Sequence, residues 1–205
     1  MDIGRGRIDG AMTKQSLKAS AGSIFMVTCF SILWAALMLL GFGTNPVSIA
    51  GLVLLLACDV WLYIRAIRTM RAIHALPDLP LDENVKREQR RIGRSFGIIF
   101  GIEAVLIMAA SMLIESPDYI GPVIALIVGL HFYPLSALFR VRAHAILATP
   151  IVLVAVISII VVSTGQWIGP MVGICCLVTA ICTAIMSAYL LRFVDKGVQN
   201  LSKRS

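Results

Sequence analysis

Three ionisable side chains lie well inside apolar segments of the sequence: Asp59, Glu103 and His131. A charge at the centre of a membrane helix costs about 2.5–3.5 kcal/mol on insertion scales, so such groups are usually paired or face a cavity. Two acids and an imidazole have the chemistry to bind a cation or a protonatable solute, or to relay protons. These residues therefore form a candidate intramembrane polar site.

The three residues lie at similar depths if each apolar segment is a helix with a rise of about 1.5 Å per residue. Asp59 precedes Arg65 by six residues, which places it about 9 Å from the basic edge of its segment. Glu103 and His131 each lie nine residues from an arginine at that edge, or about 13 Å. Three separate helices thus bring these groups within about 5 Å of one level.

Two further residues complete the predicted site. Tyr63 follows Asp59 by one helical turn and is placed to donate a hydrogen bond to it. Pro134 has no N–H, so a helix that passes through it leaves the carbonyl of Leu130 without a donor beside His131. The alternative interpretation is structural: a histidine–carboxylate contact that sets the helix register, with the second acid protonated.

Composition and the apolar runs place the chain among all-α polytopic membrane proteins. Of its 205 residues, 59% are hydrophobic and 14% charged, whereas a soluble domain carries about 25% charged residues. Apolar runs of about 20 residues, the length that crosses a hydrocarbon core of about 30 Å, recur along the chain. We predict a six-helix transmembrane domain over 22–191, with spans at about 22–41, 47–67, 94–114, 119–139, 143–163 and 167–191.

The distribution of positive charge predicts that both termini are cytoplasmic. Lysine and arginine number four before the first span, eight around the second loop, two around the fourth and four after the sixth span. The other loops have none. Because short cytoplasmic loops retain positive charge, six spans arranged as three hairpins, N-in and C-in, fit this pattern. The cytoplasmic segments are then 1–21, the loop 68–93 and the tail 192–205.

The basic residues around the second loop are candidates for contact with anionic lipid headgroups, each near-surface charge adding about 1 kcal/mol. They are Arg65, Arg68, Arg71, Arg90, Arg91 and Arg94. The same charges are equally compatible with serving only as the topology signal. No nucleic-acid recognition fold accompanies them, so we expect no nucleic-acid partner.

Gly93, Gly97 and Gly101 form a G-x-x-x-G-x-x-x-G run at the start of the third span. Glycines at this spacing let two helix backbones approach closely. We expect them to pack against another helix of the same chain. Contact between two copies, in a homo-oligomer, is the alternative.

The sequence has none of the motifs that would indicate an enzyme of a familiar kind. It contains no H-E-x-x-H or G-x-S-x-G run. A haem site would need two facing histidines, whereas His74 and His144 fall at the cytoplasmic edge of their spans. The five cysteines lie in apolar runs without histidine at metal-ligand spacing. We therefore expect no catalytic residues, no cofactor and no metal.

Two segments resemble an uncharacterised family of small multi-span bacterial integral membrane proteins. They are Arg90–Gly97 followed by Glu103, and Val128–Leu135. The resemblance implies a protein of the bacterial plasma membrane and brings no activity, substrate or cofactor with it. From the residues themselves, the first functional hypothesis is a small solute or ion transporter, or a permease-like subunit. The alternative is a non-catalytic membrane scaffold or sensor component acting through the basic cytoplasmic loop.

Overall fold

The structure, a computed structural model, describes residues 14–76, 83–139 and 141–203. These residues form six α-helices and no strand. The helices are α1 (Lys14–Phe42), α2 (Pro46–Ala75), α3 (Glu83–Leu113), α4 (Pro117–Phe139), α5 (Arg142–Ser163) and α6 (Ile168–Ser202). Each of the six is long and apolar enough to cross a membrane. The predicted all-α architecture with six membrane helices is confirmed.

Four helices are several residues longer than the predicted spans, and α1 begins at Lys14 instead of residue 22. α2 and α3 extend past the predicted membrane edge, as the charged residues that continue their helical pattern indicate. α6 continues to Ser202, although the sequence interpretation ended the sixth span at residue 191 and assigned a tail from 192. Leu191, Val194 and Gly197 are buried at helical spacing. α6 therefore keeps a packed face beyond the end of its apolar segment.

α6 is the central helix of the bundle. It packs on α1, α2, α4 and α5, and its contact with α1 is the most extensive between any two helices. α3 lies at the edge and packs mainly on α4. In the most apolar window of each helix, 56% of α6 is buried, against 6% of α3. α3 therefore turns most of its surface away from the rest of the chain.

The end of the bundle where α2 and α6 finish, here called the basic end, is held by a polar contact between these helices. Arg65 Nη2 lies 2.9 Å from Asp195 Oδ2. Thr69 Oγ1 donates a hydrogen bond of 2.6 Å to Asp195 Oδ1. Arg65 is thereby engaged within the chain, whereas Arg68 and Arg71 are exposed.

The turn between α1 and α2 is built by two residues with specific backbone roles. Gly43 adopts a left-handed conformation with φ +70°, and its N–H donates to the Leu39 carbonyl at 2.8 Å, which ends α1. The Asn45 side chain then accepts hydrogen bonds of 3.0 Å from the backbone N–H groups of Val47 and Ser48. Asn45 thus caps the first turn of α2.

Replacing Asn45 by Ala is expected to lower the free energy of unfolding by about 1 kcal/mol, because two backbone donors of α2 lose their acceptor. Equilibrium unfolding in mixed micelles measures this difference. Asn45→Ser is the matched control, since a serine hydroxyl also caps and should preserve most of the stability. Equal stability of the alanine and serine variants would contradict the assigned cap.

Candidate functional site

Glu103 of α3 and His131 of α4 meet inside the bundle. Glu103 Oε1 lies 3.0 Å from His131 Nδ1, and the side chains are 4% and 10% exposed. The distance between these two atoms is that of an ion pair, although the angles at the contact do not meet those of a hydrogen bond. The other ring nitrogen, His131 Nε2, has no hydrogen-bond partner among the described residues. The pair can be a carboxylate with an imidazolium, or a carboxylic acid with a neutral imidazole. These two forms differ only in where one proton resides.

Phenylalanine rings enclose the imidazole of His131. Phe132 is stacked on it with ring centroids 4.4 Å apart, and Phe100 of α3 meets it edge-on at 5.3 Å. The ring centroid of Phe96 lies 4.5 Å from that of Phe100, so Phe96 continues this aromatic surface. Apolar surroundings exclude water and strengthen the electrostatic interaction between Glu103 and His131.

A second imidazole, His144 of α5, lies close to the same site. It is 5% exposed, and its ring centroid is 6.1 Å from that of Phe132. The Nδ1 atom of His144 is 3.3 Å from the Val141 carbonyl. Sequence reasoning placed His144 only at a membrane edge, because position along the chain gives the depth of a side chain but not the neighbour that it meets.

Pro134 lies inside α4 and does not end the helix, which continues to Phe139. Because its ring has no N–H, the carbonyl of Leu130 loses its usual backbone donor. Phe132 and Leu135, on either side of the proline, are buried. The turn of α4 that carries His131 therefore has an additional backbone acceptor.

Asp59 lies at a different helix interface. Its helix, α2, packs on α1 and α6, whereas Glu103 and His131 lie between α3 and α4. Asp59 is 0% exposed, and neither of its carboxylate oxygens has a hydrogen-bond partner in the described part of the chain. The structure thus brings two of the three predicted residues together and places the third elsewhere.

Tyr63 does not donate a hydrogen bond to Asp59, since the Asp59 oxygens have no partner within the described ranges. Its side chain is 41% exposed, and its ring lies edge-on against Phe25 of α1 with centroids 5.0 Å apart. One helical turn of separation places the two residues near each other along α2, but Tyr63 faces outward and Asp59 inward.

The glycines of α3 do not pack against another helix. A Cβ atom added to Gly93, Gly97 or Gly101 would meet nothing within 4 Å. α3 contacts α4 through other residues, including Phe100 and Glu103, and the glycines lie off that face. The expected intramolecular packing is therefore absent among the described residues, and the alternative of contact between two copies stays a prediction.

The close approach of helices occurs instead between α1 and α6. A Cβ atom on Gly41 would lie 2.2 Å from Gly173 N and 2.4 Å from Gly169 O. Gly169 and Gly173 have the same G-x-x-x-G spacing as the α3 glycines. The sequence interpretation missed this contact, although the spacing of Gly169 and Gly173 was a signal that could have suggested it.

The fold and the buried pair define the class of this protein: an all-α, multi-pass integral membrane protein with ionisable groups inside its helix bundle. Comparisons with protein-family models, with curated proteins and with solved structures find no significant match.

Proposed function

We propose that this protein is a small ion or solute transporter, or a permease-like subunit, in which Glu103 and His131 exchange protons. The observation that carries the proposal is the 3.0 Å contact between Glu103 Oε1 and His131 Nδ1. A buried acid and imidazole at this distance hold one exchangeable proton between two groups. Proton relays in pumps and transporters are commonly built from such intramembrane residues.

The free ring nitrogen of His131 supports a role beyond structure. Nε2 is buried without a hydrogen-bond partner among the described residues, and it can accept a proton or bind a protonated solute while Nδ1 faces Glu103. The imidazole of His144 also lies close to Phe132, with ring centroids 6.1 Å apart. We place it between the pair and the nearer end of the bundle, as the next group along a proton path.

Proton flux into liposomes tests the proposal. Purified protein is reconstituted with an internal pH-sensitive dye, and a potassium diffusion potential drives proton entry. We expect Glu103→Gln and His131→Ala each to reduce the flux by about 10²-fold, the size typical for removal of a positioned proton-transfer group.

Glu115→Gln is the matched control, because its side chain is exposed and lies outside the pair. It should keep the flux of the unaltered protein. Wild-type flux in both Glu103→Gln and His131→Ala, at normal yields of folded protein, would rule out the proposed site.

The proposed setting is the plasma membrane of a bacterium, with both termini in the cytoplasm and the basic end facing that side. Anionic lipid headgroups are the proposed partners there. Arg71 and His74 line a shallow groove of about 380 Å³ together with Phe25, Ile67 and Met70. A guanidinium group above an apolar surface has the chemistry to hold a lipid headgroup above its acyl chain.

A second candidate function, a scaffold or sensor component, is favoured by the open surface of α3. Only 6% of its most apolar window is buried, and its three glycines have free space above them. Such a face suits contact with another membrane protein or a second copy of this chain. Scrambling residues 81–90 at constant charge separates the two functions, because a transporter should tolerate the change and a scaffold that acts through the basic cytoplasmic loop should not.

A further inference from the structure

Asp59 forms a site of its own, which the proposed function does not use. The side chain is 0% exposed, and neither of its oxygens has surface open to water or a hydrogen-bond partner among the described residues. An ionised carboxylate in such surroundings requires either donors or a neighbouring cation. The groups around Asp59 decide which form of the carboxyl group is present.

The helices that pack against Asp59 supply no positive charge to it. No lysine or arginine is buried in the described part of the chain. Arg65 lies six residues further along α2, about 9 Å away along its axis, and is paired with Asp195. The titratable groups buried on α6 are the thiols of Cys175, Cys176 and Cys182. The titratable side chain of α1 at this depth is the exposed Cys29.

Ser31 on α1 is the hydroxyl that faces Asp59, although neither Asp59 oxygen forms a hydrogen bond with it or with any other described residue. Its single proton is directed elsewhere, since Ser31 Oγ donates to the Ala180 carbonyl of α6 at 3.0 Å. A hydroxyl has one proton to donate but two lone pairs that accept. Ser31 therefore has nothing left to donate to a carboxylate, and it can accept a hydrogen bond from a carboxylic acid.

We propose that Asp59 is a proton-binding site that is separate from Glu103 and His131. Once the Asp59 side chain rotates toward Ser31, the protonated carboxyl donates to the Ser31 hydroxyl and Ser31 donates to Ala180, so one chain of hydrogen bonds joins α2, α1 and α6. A proton fits this site better than a metal ion does, because Asp59 belongs to no set of three metal-ligating side chains among the described residues. Opening of this interface to water would release the proton, which couples the proton to the separation of α2 from α1 and α6.

Infrared spectroscopy of the purified protein at neutral pH tests this proposal directly. We expect a carbonyl band of a protonated carboxyl group that is lost in Asp59→Asn and retained in Glu103→Gln. The band should shift in frequency in Ser31→Ala, because the acceptor of the carboxyl proton is removed. It should also shift only slowly after transfer to D₂O, since the group is closed to water.

Two outcomes would overturn the proposal. An Asp59→Asn variant whose spectrum matches that of the wild type would show that Asp59 is ionised. A band that Ser31→Ala leaves unchanged would show that the proton is not donated to Ser31. Should Asp59→Asn not fold, aspartate-specific ¹³C labelling of the wild type gives the same answer, because a protonated aspartic acid must then appear as an isotope-shifted band. These measurements do not depend on proton flux, so a failure of this proposal can be distinguished from a failure of the proposed transport function.

Discussion

Replacing Gly41 by Ala is expected to prevent accumulation of the folded protein. The added Cβ would lie 2.2 Å from Gly173 N, 2.4 Å from Gly169 O and 2.5 Å from Gly173 Cα. All three are backbone atoms, so no side-chain rotation relieves the clash. Because α1 and α6 form the most extensive contact in the bundle, their separation should lower the free energy of unfolding by about 3 kcal/mol or more.

Gly97→Ala is the matched control for this substitution. It makes the same chemical change within another apolar helix, where a Cβ atom meets nothing within 4 Å. Alanine has a higher helix propensity than glycine by about 1 kcal/mol, so this variant should be as stable as the wild type or more so. Membrane-fraction yield, size-exclusion profile and thermal stability in detergent measure both variants. A well-folded Gly41→Ala protein would contradict the close contact between α1 and α6.

The helices could be predicted from the sequence because each depends on a local property. Apolar runs of about 20 residues define the membrane helices, and Asn45 with Pro46 marks the start of α2 through side-chain and ring chemistry that acts within one turn. The extension of α6 to Ser202 was missed because it depends on packing. The basic residues of its last three turns indicate a tail in the sequence, and only the structure shows that one face of these turns is buried.

The candidate site was predicted in part, for a different physical reason. Counting residues gives depth along each helix, and depth correctly matched Glu103 with His131. It does not give the direction in which a side chain points or the neighbour that it meets. Asp59 has a similar depth but faces α1 and α6.

The glycines illustrate the same limit. The spacing in α3 and the spacing in α6 are identical, yet only Gly169 and Gly173 meet a partner, because Gly41 on α1 allows the backbones to touch. A small-residue motif packs only where the facing helix also has a small residue at that level. That information lies in the pairing of helices, which neither segment carries by itself.

Removal of one member of the Glu103–His131 pair is expected to destabilise the protein more than removal of both. His131→Leu leaves a 4%-exposed acid without its partner, and loss of one partner from a buried pair typically costs about 3–5 kcal/mol. Glu103→Leu should cost less, because an imidazole left alone can be neutral.

The double variant, Glu103→Leu with His131→Leu, should regain most of the stability lost in His131→Leu, since an apolar replacement of a buried ion pair is often neutral or stabilising. A double-mutant cycle from equilibrium unfolding in mixed micelles measures the coupling between the two side chains. If the stability losses of the two single variants add up to the loss of the double variant, the 3.0 Å contact contributes no coupling energy. Proton flux measured on the same variants separates a structural role from a functional one. If the pair only sets the helix register, the stable double variant should transport protons like the wild type. The proposed relay predicts instead that the double variant folds and is inactive.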